Sequence, residues 1–501
     1  MSPQPEFTSM IPRTLVAGFI CAIVLAFVVV PFPHSNIDVP APAPEGINVN
    51  VWAEGHPEYT EVPSTVTDLA FLVSVVGAPT DDTKARNPLA LSLVVDTSGS
   101  MGGDRMDLVK ASLDFIARHV TDRDHVGLVG YSGDVSLYLP MTRMDVDGRL
   151  RFQDAIKRLV ANGGTNLCGG LLAGFDVLRG IDIVPLLDSY GPSKRRWSAV
   201  PTLPLPTDTV AAVWLLTDGH QNVGRTNPAD IERLLRERIS RFLPRATVHT
   251  FGYGADHDGT LLGALARASE GSYYYVKNVG DVKELFADCL GGMTSVVATD
   301  VVVDIASPFT VTKVMSTHGT TLPMRFKEIY AEERRDFLVT LRLPPATVGS
   351  STTLGDIVVT FKGTAAVRYP IGSVTRVAGN APVGAPDPEC VTERVRLDVA
   401  AALAEAEVHH RQGRDAEART VLVDCQSRVG NATGANATKT AYFGQLLNMS
   451  TSSEGNSTDK NMLANTTNEL LSQRGSSSGS LYSNSKKDAS RATAMAESAS
   501  P

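Results

Sequence analysis

The sequence predicts an α/β fold: a doubly wound, mostly parallel, Rossmann-like sheet inserted in or flanked by an antiparallel β-sandwich, with a C-terminal helical hairpin and a disordered tail. Three observations carry this. Between about residues 88 and 298, apolar β-type runs alternate with amphipathic helical stretches, the pattern of a sheet with helices on both faces. On either side the periodicity is two, in I-N-V-N-V from Ile47 and in Phe337, Val339, Leu341 and Leu343. Further on, Val391, Val395, Val399 and Leu403 form one helical stripe and Val421, Leu422 and Cys425 a second, separated by the turn Q-G-R-D.

Taken in order, residues 1–14 form a short tail. Leu15 to Val30 then runs for sixteen residues without a charge. As a helix this is about 24 Å long, somewhat short of a ~30 Å hydrocarbon core. Arg13 precedes the run and the next basic residue is Lys84, so the positive-inside bias leaves the N-terminus cytoplasmic and exports the rest. Residues 15–32 are therefore expected to be a transmembrane signal anchor. A cleaved signal peptide is the alternative, although Pro31-Phe32-Pro33 follows directly and no small-x-small site lies close by. The expected location is single-pass in a membrane with the main body outside the cytosol, the alternatives being secreted or cytoplasmic.

Residues 33–45 are a Pro/Ala linker, and 46–87 a β segment that includes the buried-strand run A-F-L-V-S-V-V. In the α/β domain, 88–298, strands are expected at Leu91–Val95, Val126–Tyr131, Val135–Leu139, Val210–Leu216, Thr247–Tyr253 and Tyr273–Val276. Helices are expected at Arg105–His119, Leu150–Leu159, Gly169–Leu178, Pro228–Phe242, Thr260–Ala268 and Val279–Leu290. The Pro-rich connection from Gly180 to Asp208 leads from a helix back to a strand start, so it belongs at the bottom of the sheet. Residues 299–377 form the β-sandwich. Because strands both precede and follow the α/β domain, one sandwich with that domain inserted is expected.

The helical hairpin spans 388–429, turning at Gln412-Gly413. That turn leaves Cys390 and Cys425 offset by about 17 Å along the pair, beyond the ~7 Å a disulfide spans between Cα atoms. Cys168 and Cys289 are expected as buried thiols. Residues 430–501 are rich in Ser, Thr, Asn and Ala, a composition expected to be mostly disordered. N-x-S/T sequons begin there at Asn431, Asn436, Asn448, Asn456 and Asn465. They are either glycosylation sites of an exported stalk or the by-product of an Asn- and Ser-rich composition.

The chemistry concentrates in three short segments. They are L-S-L-V-V-D-T-S-G-S with Asp96, Ser98 and Ser100, G-G-T-N with Thr165, and W-L-L-T-D-G with Asp218. Apolar strands end at Asp96 and just before Asp218, which brings the set to the carboxyl ends of parallel strands, where open α/β sheets bind ligands. Two carboxylates and three hydroxyls suit a hard cation, Mg²⁺ first, with Mn²⁺ or Ca²⁺ accepted by the same oxygens. With three of the five ligands neutral, the ion is expected to stay electrophilic towards an incoming carboxylate. The competing explanation is that Asp96 and the serines cap the helix that follows. Capping needs one such residue, and it explains neither Thr165 nor Asp218.

This constellation resembles the metal-ion-dependent adhesion site of von Willebrand factor type A (VWA) domains: D-x-S-x-S, a later Thr and a later Asp. The order of β segment, VWA domain, sandwich and helical pair is similar to a group that includes plant RING/VWA ubiquitin ligases and VWA-Hint proteins. The likeness spans roughly residues 46–428. It also rests on G-G-T-N-L, F-G-Y-G-A-D-H-D and D-C-L-G-G-M-T-S-V-V. No cysteine/histidine array for a RING and no Hint-type segment is present, so ubiquitin transfer does not carry over. In A-D-H-D, Asp256 or Asp258 either shapes the rim of the site or caps the helix near Thr260.

A net charge of -8 and 43% hydrophobic residues describe a soluble globular body. Lys194-Arg195-Arg196-Trp197 reads as a solvated loop, so no nucleic-acid partner is expected. The sequence contains no H-E-x-x-H, no G-x-x-x-x-G-K-S/T and no G-x-S-x-G. A non-enzymatic module is expected, binding a protein that presents an Asp or Glu. The alternative is an intracellular scaffold with a structural metal site.

Overall fold

A computed structural model describes residues 50–79, 86–180, 208–243, 245–277, 281–452 and 457–473. The chain divides into two units, Met1–Val39 and Pro40–Pro501, and every described residue belongs to the second. The expected anchor at 15–32, Cys21 and the Pro-rich stretch 181–207 lie outside the described residues. Among those described, no helix is long and apolar enough to cross a membrane.

Three strands lead: β1 (Val51–Pro57), β2 (Glu61–Pro63) and β3 (Thr67–Gly77). The α/β unit follows as β4 (Leu89–Asp96), α1 (Asp104–His119), β5 (His125–Tyr131), β6 (Val135–Arg143), α2 (Val146–Lys157), α3 (Leu167–Leu178), β7 (Val210–Thr217), α4 (Pro228–Phe242), β8 (Thr247–Tyr253), α5 (Gly259–Ala268), β9 (Tyr273–Val276) and α6 (Asp281–Thr294). After it come β10 (Val296–Ala306), β11 (Thr310–Met315), β12 (Met324–Tyr330), β13 (Arg334–Leu343), β14 (Ser351–Thr353), β15 (Asp356–Thr360), β16 (Val367–Pro370) and β17 (Ser373–Val377). Four helices end the described chain: α7 (Pro388–Arg411), α8 (Asp415–Gly430), α9 (Ala437–Ser452) and α10 (Ser457–Ser472).

The α/β unit is built on a six-stranded sheet in the order β6-β5-β4-β7-β8-β9. All neighbours are parallel except β6, which runs antiparallel to β5. Every residue of β4 is buried, as expected of a strand covered on both faces. Its side chains divide by parity. Leu89, Leu91, Leu93 and Val95 pack with α1, α2 and α6, while Ala90 and Val94 pack with α3, α4 and α5. Gly174 lets α3 lie close on the second face, because a Cβ there would sit 2.4 Å from Val94 Cγ2. After β4 the chain builds outward through β5 and β6, then returns to the other side of β4 with β7. The gap between β4 and β7 is thus the switch point of the sheet, where ligand clefts form.

The sandwich joins strands from both flanks of this unit. One sheet has the order β1-β3-β13-β11, pairing β3 with β13 through Val73↔Phe337, and the other β12-β10-β15-β16. Between them Trp52, Phe71, Val73, Phe326, Ile329 and Phe337 form one core, each full burial contributing about 1.5–3 kcal/mol. The α/β unit is an insertion into this sandwich.

The tail requires a correction. Residues 430–501 are expected to be mostly disordered, yet within them α9 and α10 are helical, while 474–501 lie outside the described residues. Phe443, Leu446, Leu447 and Leu470 close the apolar core of α7 and α8. Ala464 packs on the α/β core, and polar contacts add to this. Asn461 Nδ2 donates to Ala255 O at 3.1 Å, and its Oδ1 accepts from Gly259 N at 3.1 Å. Asn465 Oδ1 accepts from Tyr275 N, on edge strand β9, at 3.2 Å. Gln473 bonds both backbone groups of Asp336. Composition hides such a helix, since its anchoring is done by amides. Two of the sequon asparagines that are described are committed as well: Asn436 Oδ1 accepts from Thr438 N and Lys439 N, and Asn465 Nδ2 donates to Glu469. Cys168, Cys289, Cys390 and Cys425 are buried thiols, and none of the four is in a disulfide.

Candidate metal centre

Asp96 is the last residue of β4 and Asp218 follows β7, so two adjacent parallel strands deliver their carboxylates to one end of the sheet. Both are buried, at 0% and 1% exposure. Asp96 Oδ1 accepts from Ser98 N at 2.8 Å and Oδ2 accepts from Thr217 Oγ1 at 2.6 Å. Ser98 Oγ lies 3.1 Å from Ser100 Oγ, which donates to Asp218 Oδ1 at 2.8 Å. Four of the five expected residues therefore form one hydrogen-bonded chain.

Thr165 arrives from the loop before α3. Gly99 N donates to Gly163 O at 3.0 Å and Asn162 N to Thr97 O at 2.6 Å, docking that loop on the D-x-S-x-S turn. Gly163 has φ +75°, a backbone state that favours glycine. Asn222 holds the other side, its Oδ1 accepting from Thr165 N at 2.8 Å. The Thr165 side chain faces the same space as Ser100: a Cβ on Gly219 would lie 3.7 Å from Ser100 Oγ and 3.9 Å from Thr165 Oγ1. Thr165 thus stands beside Ser100, near the end of the hydrogen-bonded chain that the other four form.

Capping does not explain the serines. Ser98 begins the single 3₁₀ turn Gly99–Met101 and Gly103 begins α1, and neither makes a side-chain capping bond. Asp258 does cap: its Oδ1 accepts from Leu261 N at 2.9 Å at the start of α5. Asp256 is 78% exposed and lies 3.9 Å from Arg105 Nη2. Arg105 also pairs with Asp218 Oδ2 through Nη1.

Sequence reasoning passed over Arg105, Thr217 and Asn222. Thr217 directly precedes Asp218 in T-D-G, and its hydroxyl position one residue before a candidate ligand was the available signal. Nothing in the spacing singles out Arg105 or Asn222, whose partners lie 113 and 57 residues away.

Burial raises the Asp96 carboxyl above its ordinary range and the charge of Asp218 adds to this, against the bonds from Thr217 and Ser98. Beneath it Tyr131, paired with Asp96 in the ladder, is fully buried and its phenol is pushed up by burial and by that same carboxylate. A buried anion without a full counter-charge is a site for a cation. Among the described residues no three His, Cys, Asp or Glu side chains group as metal ligands. The candidate set instead has two carboxylates and three hydroxyls, all oxygen, which fits a hard divalent ion and not a thiolate- or imidazole-bound one. Ser100 and the rim at Asp256 are exposed, so one side of the group opens outward.

A sequence profile described as the von Willebrand factor type A domain matches residues 91–220. The uncharacterized protein sll0103 of Synechocystis is 25% identical over 284 residues, 54% of this chain and 60% of its own length. The E3 ubiquitin-protein ligase WAV3 of Arabidopsis thaliana is 25% identical over 286 residues, 54% of this chain and 33% of its own. The chain thus spans less than two thirds of either relative. A solved von Willebrand factor type A structure from Catenulispora acidiphila superposes with a TM-score of 0.54 at 16% identity, covering 80% of this chain and 89% of that one. At that identity the likeness establishes the fold.

Proposed function

We infer that this chain, whose α/β unit is a von Willebrand factor type A domain, is a non-enzymatic protein-binding module that works through a divalent ion. Asp96, Ser98, Ser100, Thr165 and Asp218 would hold the ion, Mg²⁺ first, with Mn²⁺ and Ca²⁺ compatible with the same oxygens. When bound, the ion supplies an electrophilic coordination position that an Asp or Glu of the partner completes. The protein's own part is positional. Thr217 and Ser98 fix both oxygens of Asp96, Ser100 ties the turn to Asp218, and Asn222 sets the height of Thr165.

The observation that supports this reading is the hydrogen-bonded chain of Asp96, Ser98, Ser100 and Asp218 at the sheet's switch point, with Thr165 beside Ser100. A pull-down with the full chain as bait, run in Mg²⁺ and in EDTA, tests it. Partners are expected in Mg²⁺ and lost in EDTA, and partners kept in EDTA would contradict it.

A second reading has a specific support. The match to WAV3 covers 54% of this chain, more than the residues 91–220 that the VWA profile matches, so the likeness reaches beyond the profile. On that reading the chain is a scaffold or substrate-recognition protein of an intracellular assembly, and its partners survive EDTA. Location separates the two. A reporter fused after residue 45, with glycosylation mapping at Asn431, reports export for a membrane-anchored or secreted module and a cytosolic product for the scaffold.

A further inference from the structure

Arg105 sits where local helix chemistry does not favour it. It lies in the first turn of α1 beside Asp104 and Asp107, at the helix's positive end, where anions are stabilised and cations are not. Its guanidinium is engaged outside the helix. Nη1 pairs with Asp218 Oδ2 and lies 3.4 Å from Ser100 O, and Nη2 reaches towards Asp256 at 3.9 Å. The side chain is 37% exposed, so water screens only part of its charge.

The charge count of the centre follows. Asp96 and Asp218 supply two negative charges and Arg105 cancels one of them. A divalent ion held there is left with one positive charge uncompensated, and a single carboxylate from outside neutralises it. We propose that Arg105 is a positioning residue that acts through Asp218 to keep the centre's own affinity for a divalent ion low, so that tight retention of the ion requires the partner's carboxylate. This rests on the metal-dependent reading above. Asp256 draws the same guanidinium outward and so links the exposed rim to the inner ligand.

The test is calorimetric titration of the full chain with MnCl₂ alone, comparing the wild type with Arg105→Gln and Arg105→Met as neutral variants and Arg105→Lys as the charge-conserving one. Arg105→Gln and Arg105→Met are expected to bind Mn²⁺ at least about tenfold more tightly than the wild type. Arg105→Lys is expected to stay close to it, and this rescue by charge alone is one a merely structural role would not produce. Unchanged or weaker binding by the neutral variants, with the wild type binding, overturns the role of Arg105 and leaves the metal-dependent reading standing. Binding by the neutral variants alone supports the proposal. Absence of Mn²⁺ binding in every protein overturns the metal-dependent reading and this inference with it.

Discussion

Ser100 Oγ donates a 2.8 Å hydrogen bond to Asp218 Oδ1 across 118 residues of sequence. This bond joins the turn after β4 to the end of β7 and closes the switch point of the sheet. Ser100 is exposed while Asp218 is buried, so the bond also marks the border between the protein interior and the surface. Replacing Ser100 by Ala removes a donor oxygen and frees that carboxylate. Mn²⁺ affinity is expected to fall about 10- to 100-fold, with folding stability reduced by about 1 kcal/mol. Calorimetric titration and urea melts read the two effects separately.

Gly219 provides a test that leaves every charge and every donor in place. A methyl group there meets Ser100 Oγ and Thr165 Oγ1 at ordinary contact distance, so Gly219→Ala is expected to fold with unchanged thermal stability. The methyl lies between two of the donor oxygens, and Mn²⁺ binding is expected to weaken at least about tenfold. Unaltered binding would separate Thr165 and Ser100 from the centre.

Much of this arrangement was legible beforehand. A fully buried parallel strand is an unbroken apolar run, and the Asp that ends such a run stands at the carboxyl edge of the sheet. Asp96 and Asp218 were visible for that reason. Strands on both flanks of the α/β unit announced the single sandwich, because β1 and β3 have no second sheet to pack on without β10 to β17. Arg105 was not legible, since its partner is chosen by the fold and not by the turn it occupies. The helices α9 and α10 were hidden by composition: α9 offers only the short apolar set Phe443, Leu446 and Leu447, and α10 is anchored in part by Asn461, Asn465 and Gln473 through amide bonds that no hydrophobic periodicity reveals.

Those amides give a third prediction. Asn461 is 4% exposed and satisfies both Gly259 N and Ala255 O. Asn461→Ala leaves two backbone groups without their partner and is expected to cost about 1–3 kcal/mol. Hydrogen exchange is expected to quicken at residues 255–259, the loop that carries Asp256. Loss of stability without faster exchange in that loop would show that Asn461 does not hold the loop.

A fourth concerns pH. His257 is buried, with its Nε2 hydrogen-bonded to the Tyr273 hydroxyl at 2.6 Å. Burial lowers its pKa from 6.5 to about 4, while backbone bonds at Gly254 and Tyr253 and the charge of Asp258 pull upward. The unfolded chain therefore takes up the proton first. Stability from this group is intact above pH 6.5, falls as pH drops towards 4 and levels off below it. At about 1.4 kcal/mol per unit, the loss between pH 7 and pH 5 is about 2 kcal/mol. Urea midpoints are expected to show it in the wild type and not in His257→Phe.

The most direct test of the central claim is an anomalous difference map from crystals of the full chain grown with MnCl₂. One peak is expected among Asp96, Ser98, Ser100, Thr165 and Asp218, on the open side of Gly219, and none in crystals of Asp218→Asn. A map without density there, or a peak that persists in that variant, would contradict the account.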